Sequence, residues 1–394
     1  MVNIGPMPFH CGSPLEEPEE FTTLRACPGP LLLRTAAGGE GWLVTRYDDV
    51  RKLAADPRIG RAHPCPQQAP RLWDAAMFAP QTNFDTEFGD HRCWRRVLTP
   101  RFTRPGLRVQ WESAVPLLDG LIDTVLAAGP PVDLRQMIAE PFATRLILDF
   151  IGIPGEEYAR MRAWSDAIRV PDDRAVAEAA RSAILGRLGE LIDHRHADPA
   201  DDVLTDLARA LTPHGPLTRE QAVEAAGHLF FGGHETVAAR IAYGLLFLLA
   251  HPDQYQALHD DPSLAAGAAE EILRLAVPGG SWIPRYARED IPFRGSLIRA
   301  GDLVVFALQA ANRDPDRFTG PDLFDITRAP NPHVAFGHGK FYCLGADLAR
   351  IALRTVCEQL PQRLPGLGLH APWAVLSTDK ERVTGGLGTL LVSW

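Results

Sequence analysis

The stretch from Thr218 to Ala250 sets the tightest limit on what this chain can fold into. Thr218 is followed three residues later by Gln221, the pattern of a capping box in which two side chains satisfy backbone N–H groups at a helix start. Apolar residues then recur almost all round the helix, and the run stops ahead of His251-Pro252, because a residue before proline is pushed out of helical conformation. Roughly 32 residues at helical rise span about 48 Å. A helix so long and so apolar has to cross the core of a large, mainly helical domain. The longest unbroken apolar run, Ile241 to Ala250, is too short to span a bilayer.

Gly232-Gly233-His234-Glu235-Thr236 lies in the middle of that helix. Adjacent glycines there cost about 1 kcal/mol each against alanine. Two explanations stand. The glycines can admit a neighbouring backbone while Glu235 bonds elsewhere. Alternatively the helix opens locally to make room for a flat ligand and a small molecule, with Thr236 hydrogen-bonding that molecule or a water and Glu235 feeding protons.

A second segment, Phe336-Gly337-His338-Gly339-Lys340-Phe341-Tyr342-Cys343-Leu344-Gly345-Ala346, places one cysteine between a glycine-rich turn and an apolar-periodic stretch, Leu344 to Leu360. A thiol at a helix N-terminus feels the positive end of the dipole, which favours thiolate. Thiolate is a soft metal ligand, and haem iron suits a single such donor best. A structural cysteine ahead of a helix is the plain alternative. Zinc through His333, His338 and Cys343 fits less well, because a fourth ligand and short Cys-x-x-Cys spacing are lacking.

Two charged patterns accompany these. Glu271 and Arg274 stand three apart on a helix expected from about Pro262 to Leu275, hence on one face. His91 and Arg95 stand one turn apart. Read alone, each is an ordinary solvated pair or basic face.

Composition narrows the partners. The net charge is -9 over 394 residues, so no domain-wide basic excess points to nucleic acid. Cys11, Cys27, Cys65, Cys93, Cys343 and Cys357 show no framework spacing and read as reduced thiols of a cytoplasmic protein. The first residues carry no signal-peptide pattern, so neither membrane insertion nor export is expected. A short strand at Gly41 to Arg46 and a helix at Tyr47 to Ala55 capped by Asp48-Asp49 are expected, with strands and turns over 282–308 and a last strand over 386–394. No internal boundary is visible, so residues 1–394 read as one domain.

Taken in order along the chain, the motifs resemble those of the cytochrome P450 family. Phe-Gly-x-Gly-x-x-x-Cys-x-Gly resembles its haem-ligand loop, Gly-Gly-His-Glu-Thr its oxygen-activating motif, and Glu271-x-x-Arg274 the pair that braces the haem loop. The resemblance implies the mostly α P450 fold with small β-sheets, the haem sandwiched between the long helix and the cysteine-bearing helix. It implies haem b (iron protoporphyrin IX) ligated by Cys343 and lined by Phe336, Gly337, Gly345, Gly232 and Gly233, with propionates held by His91, Arg95 and Arg285. Thr236 and Glu235 would handle dioxygen and protons. Ferredoxin and ferredoxin reductase would be separate proteins relaying electrons from NAD(P)H. Apart from the resemblance, the cationic cluster Arg92, Arg95, Arg96, Arg101, Arg104 and Arg108 stands out in an acidic chain, and its exposed members are expected to dock an acidic electron carrier. The expected reaction is monooxygenation of a small secondary metabolite, with oxidative coupling or a non-catalytic haem sensor as alternatives. By family position Leu229, Gly232, Val277, Ser281, Trp282, Ile283 and Thr384 face the substrate.

Two departures stand out. The family's arginine that completes the Glu-x-x-Arg network is missing from Pro321-Asp322-Leu323-Phe324, leaving Arg317 or Arg328 to substitute. Two residues before the cysteine, where the family places His or Arg against a propionate, this chain has Phe341.

Overall fold

The computed structural model describes the chain apart from residues 1–4, 10–12, 74–79, 169–173, 213–214, 277–280, 374–375 and 377–385. In chain order the helices are α1 (Glu20–Arg25), α2 (Tyr47–Ala55), α3 (Glu87–Leu98), α4 (Arg108–Ala128), α5 (Glu140–Ile151), α6 (Tyr158–Ile168), α7 (Arg174–His194), α8 (Val203–Arg209), α9 (Arg219–Ala250), α10 (Pro252–Asp260), α11 (Ala265–Leu275), α12 (Leu308–Asn312) and α13 (Ala346–Arg363). The strands are β1 (Leu31–Arg34), β2 (Glu40–Val44), β3 (Ile59–Gly60), β4 (Val132–Asp133), β5 (Trp282–Ala287), β6 (Ile291–Phe293), β7 (Ser296–Ile298), β8 (Leu303–Ala307), β9 (Gly368–Leu369) and β10 (Leu391–Ser393). They pack as two compact units. One is built mainly from Met1–Glu87 and Glu270–Cys343, the other mainly from Phe88–Ala269 and the chain from Leu344 onward.

The first unit holds a five-stranded sheet in the order β1-β2-β8-β5-β3, with β2 parallel to β8 and the other pairs antiparallel. Its central strand β8, Leu-Val-Val-Phe-Ala, is buried throughout, as a strand covered on both faces must be. Strand β5 alternates accordingly. Trp282 and Tyr286 join the apolar cluster of Met7, Phe21, Leu43 and Val305, while Ile283 packs against the cluster of Val50, Ile59, Val304 and Phe306 on the opposite face. Helix α2 has the expected bounds but a different cap. Arg46 is the N-cap with no side-chain bond, and the Tyr47 N–H instead donates to Asp314 Oδ2 at 2.8 Å. Asp49 is buried against Arg294 at 2.6 Å, so it is occupied by an ion pair rather than the helix start.

In the second unit α9 has the predicted ends. Thr218 and Gln221 form the reciprocal capping box, and His251 closes the C-terminus. The expected opening at Gly232–Thr236 is not present: α9 runs as one uninterrupted helix of 32 residues. From Ile241 to Leu249 it is buried all round, and it packs on α5, α7 and α13. Strands β4, β10 and β9 make a small antiparallel sheet, with β10 confined to the C-terminal part of the expected 386–394 strand.

Candidate active site

The cysteine loop belongs to the first unit. Its tightness comes from two bonds: the Cys343 N–H donates to the Phe336 carbonyl at 2.9 Å, and the Gly337 N–H donates to Val334 at 2.8 Å. Gly337 and Gly339 both sit at φ +72°, in the left-handed region that side chains disfavour. A Cβ on Gly339 would also lie 2.7 Å from the Ala54 carbonyl, so this loop can lie close against α2 only without one. Cys343 is exposed and outside any disulfide, as are the other described cysteines in respect of disulfides. It stands three residues ahead of α13, whose N-cap is Gly345. Buried Cys357 is a contrast, its thiol pushed up to about 12 by burial. The zinc alternative finds no support. His333 is committed to Glu270, with Nε2 3.0 Å from Oε2, and no group of three or more metal-binding side chains occurs among the described residues.

Behind the loop lies a buried ionic network. Glu271 and Arg274 are both fully buried and joined by two bonds, 2.8 and 2.7 Å long. Arg274 also donates to the carbonyls of Asn312, Pro321 and Leu323. Burial pulls its guanidinium below the ordinary value and Glu271 opposes that. The missing third member is Arg328, whose Nε lies 3.2 Å from Glu271 Oε1 and which also bonds the carbonyls of Thr319, Gly320 and Leu323. Arg317 instead lies 5.3 Å from the Tyr47 ring. Asn331 and the Asp325 N–H complete the acceptor shell of Glu271, so the network holds the strand of chain that leads into the cysteine loop.

Arg285 occupies β5 on the same face as Ile283. It bonds only the Pro284 carbonyl, at 2.7 Å, and makes no ion pair among the described residues. Burial, with the charge of Arg61 adding to it, draws its guanidinium down to about 9. The ring of Phe341 lies 5.3 Å from Arg285 and 4.6 Å from Arg61, with Lys340 Nζ at 5.5 Å. Sequence reading missed Arg61, for it stands far from the cysteine loop in the chain.

The second unit supplies the other motif. On α9, His228, Gly232 and Thr236 are exposed at intervals of four residues, one stripe on a helix otherwise largely buried. Gly232 opens on space, since an added Cβ would touch nothing. Thr236 Oγ1 donates to the Gly232 carbonyl at 2.5 Å. Glu235 is half-buried beside it. Gly233 faces elsewhere: a Cβ there would lie 2.6 Å from Ile147 Cδ1, the close approach of α5. His234 is buried, stacked on Phe230 and 3.2 Å from Ser165 Oγ. On α3, His91 is buried edge-on to Trp94, and Arg95 reaches over the same ring.

The substrate residues fare unevenly. Val277 and Thr384 lie outside the described residues. Ser281 adopts φ +41°, and Leu229 is half-buried on α9. Trp282 is corrected from open wall to core: it is 3% exposed and packed against Phe9 and Phe21 at 5.6 and 5.4 Å. Ile283 lines a small cavity with Arg285, Phe306, Leu308 and Phe341. The basic cluster is also reduced. Arg101 is bound to Asp206 and Asp201, which raise its pKa, and Arg108 pairs with Glu112. Arg92, Arg96 and Arg104 are exposed.

Comparisons with known proteins show which family the chain is similar to. The family model "Cytochrome P450" matches residues 173–364. Pentalenolactone synthase of Streptomyces exfoliatus is 36% identical over 374 residues, covering 93% of each chain. The cytochrome P450 monooxygenase PikC of Streptomyces venezuelae is 35% identical, covering 95% of this chain and 90% of the relative. Among solved structures, the pimaricin epoxidase PimD superposes with TM-score 0.87 at 36% identity, covering 98% of both chains. The LnmA hydroxylase of Streptomyces atroolivaceus gives 0.89 at 35%, with full coverage of both. No described helix is long and apolar enough to cross a membrane.

Proposed function

Since this chain belongs to the cytochrome P450 family, we propose that it is a haem-thiolate monooxygenase that hydroxylates or epoxidises a small secondary metabolite. The family relation makes it an oxidoreductase of the haem-iron, dioxygen-using class. The substrate class comes from the relatives, one named for pentalenolactone and another for the macrolide pimaricin. The observation that carries the reading is the Cys343 loop: an exposed thiol at the end of a turn pinned by Phe336 and braced by Glu271, Arg274 and Arg328.

The residues fit haem b. Cys343 offers one soft donor, and among the described residues no cluster of acids or histidines stands ready for another metal. Arg285, short of a carboxylate among the described residues, suits a propionate, and His91 and Arg95 are its proposed companions. Phe336, Gly337 and Gly345 shape the loop and Gly232 presents a flat face. Bound haem would bring dioxygen reduction, with thiolate donation favouring O–O cleavage. The chain's own part is proton handling and exclusion of water. Thr236, whose hydroxyl rests on the Gly232 carbonyl, can turn that hydroxyl toward oxygen or a water, and Glu235 can pass it a proton. Leu229, Ser281 and Ile283 are the described residues proposed to meet the substrate.

Because relatives match over nearly its whole length, we treat residues 1–394 as one functional domain acting in the cytoplasm. Its electrons come from NAD(P)H through separate ferredoxin and reductase proteins, with Arg92 and Arg96 as the proposed contact for an acidic carrier. The test is turnover with surrogate ferredoxin, reductase and NADH over a panel of macrolides and terpenoids. Products heavier by one oxygen atom support the proposal. Products lighter by two hydrogens make the enzyme an oxidative coupler, and a haem-loaded protein that adds no NADH consumption to that of the redox partners alone is a non-catalytic haem sensor or carrier.

A further inference from the structure

We propose that Arg61 is the partner of the haem propionate that Phe341 cannot bind, placed by stacking on the Phe341 ring. This rests on the haem-thiolate reading above. Phe341 carries no charge, yet its ring sits beneath Arg61 at 4.6 Å and Arg285 at 5.3 Å, so two guanidiniums converge on the position where a single basic side chain would stand.

Arg61 is held there from behind. Glu87, whose side chain is fully buried, accepts the Arg61 backbone N–H at 2.7 Å and the Ala62 N–H at 3.2 Å, and its Oε1 lies 3.8 Å from Arg61 Nε. Glu87 is also paired with Arg288 at 3.3 Å, and Arg288 is anchored to the Phe84 carbonyl at 2.7 Å. Arg61 directly follows the short strand β3, which pairs with β5 through Gly60↔Tyr286, next to Arg285. Gly60 has to be glycine in this arrangement, because a Cβ would lie 2.6 Å from Glu87 Oε2.

Electrostatics point the same way. Arg61 and Arg285 are like charges on one ring, and the charge of Arg61 weakens the hold of Arg285 on its proton. A carboxylate shared between the two forks removes that repulsion and forms charge-assisted bonds to both. Phe341 is then a platform that aligns two guanidiniums, and Glu87 is a positioning residue.

The test measures haem transfer from the holoenzyme to excess apomyoglobin, for wild type, Arg61→Gln, Arg61→Lys and Arg61→Gln/Phe341→His. Loss of a charge-assisted hydrogen bond should speed haem loss of Arg61→Gln about 10- to 100-fold. Arg61→Lys should recover part of this, and histidine at position 341 should restore most of it. The same proteins reconstituted with haem dimethyl ester, which has no propionate charge, should show wild type and Arg61→Gln within about 2-fold of each other. A structural defect would slow or speed both haems alike. Equal rates for wild type and Arg61→Gln with ordinary haem overturn the Arg61 assignment alone, as does an Arg61→Gln effect that persists with the ester. A protein that takes up no haem overturns the proposed function and this assignment together.

Discussion

Replacing Glu271 with alanine removes the acceptor at the centre of the buried network behind the cysteine loop. In the native protein its two oxygens receive Arg274 at 2.8 and 2.7 Å, Arg328 at 3.2 Å, Asn331 at 2.9 Å and the Asp325 N–H at 3.0 Å. Side chains of both Glu271 and Arg274 are 0% exposed. After the change Arg274 keeps three carbonyl acceptors but loses its counter-charge, while burial continues to disfavour its charged form. Breaking a buried pair from one side costs about 3–5 kcal/mol. Set against a domain stability of about 5–15 kcal/mol, that is a large fraction of the whole. Urea unfolding followed by circular dichroism should show the midpoint falling with unchanged slope. The double variant Glu271→Leu/Arg274→Leu should be more stable than Glu271→Leu alone, since the fully buried Arg274 charge is no longer orphaned and Arg328 keeps its carbonyl acceptors. A Glu271→Ala protein within about 1 kcal/mol of wild type, the range of an exposed ion pair, refutes the reasoning.

Other expectations follow from the same geometry. In the haem-free protein Gly232→Ala should raise the thermal midpoint, by up to about 1 kcal/mol of stability, because its Cβ meets no protein atom. Gly233→Ala should fall below Gly232→Ala by about 1–3 kcal/mol, because its Cβ would collide with Ile147, and an inverted order in differential scanning calorimetry contradicts the packing. Arg92→Glu/Arg96→Glu should slow stopped-flow reduction by ferredoxin and flatten its dependence on salt, whereas an unchanged rate removes these residues from the docking surface. Burial draws Lys340 from 10.5 down to about 8. The unfolded chain therefore holds the extra proton between these values, so the haem-free fold should gain stability as pH rises from about 8 to about 10. Lys340→Met should lose that gain, and an equal slope in the variant speaks against Lys340 as its source. Thr236→Ala should lower product formed per NADH consumed, by about 100-fold if the hydroxyl is the route for protons, and an unchanged yield relieves Thr236 of that role.

The local signals in the sequence were legible because they act over a few residues. Thr218 and Gln221 cap α9, Tyr47 to Ala55 is a helix, and Glu271 and Arg274 meet at one helical turn, each through bonds that spacing alone prescribes. What spacing could not decide were contacts between distant segments. Arg317 and Arg328 lie in the same irregular stretch, and only the folded path carries Arg328 to Glu271 while sending Arg317 to Tyr47. The cap of α2 comes from Asp314, far along the chain, so the nearby Asp48-Asp49 was a reasonable but mistaken choice. Trp282 was expected to face the substrate, because its partners Phe9 and Phe21 belong to the distant N-terminal segment. The glycine pair of α9 divides its roles between open space and the Ile147 contact, which two identical letters cannot express. Arg61 was invisible for the same reason as Arg328: its meaning arises only beside Phe341.

Thiolate ligation by Cys343 is the claim on which the enzymatic account stands, and the spectrum of the dithionite-reduced, carbon-monoxide-saturated protein addresses it directly. The account predicts the family's red-shifted Soret band in the native protein and its loss in Cys343→His, where an imidazole replaces the sulfur. A purified, haem-loaded native protein without that band, or a Cys343→His variant that keeps it, contradicts the account.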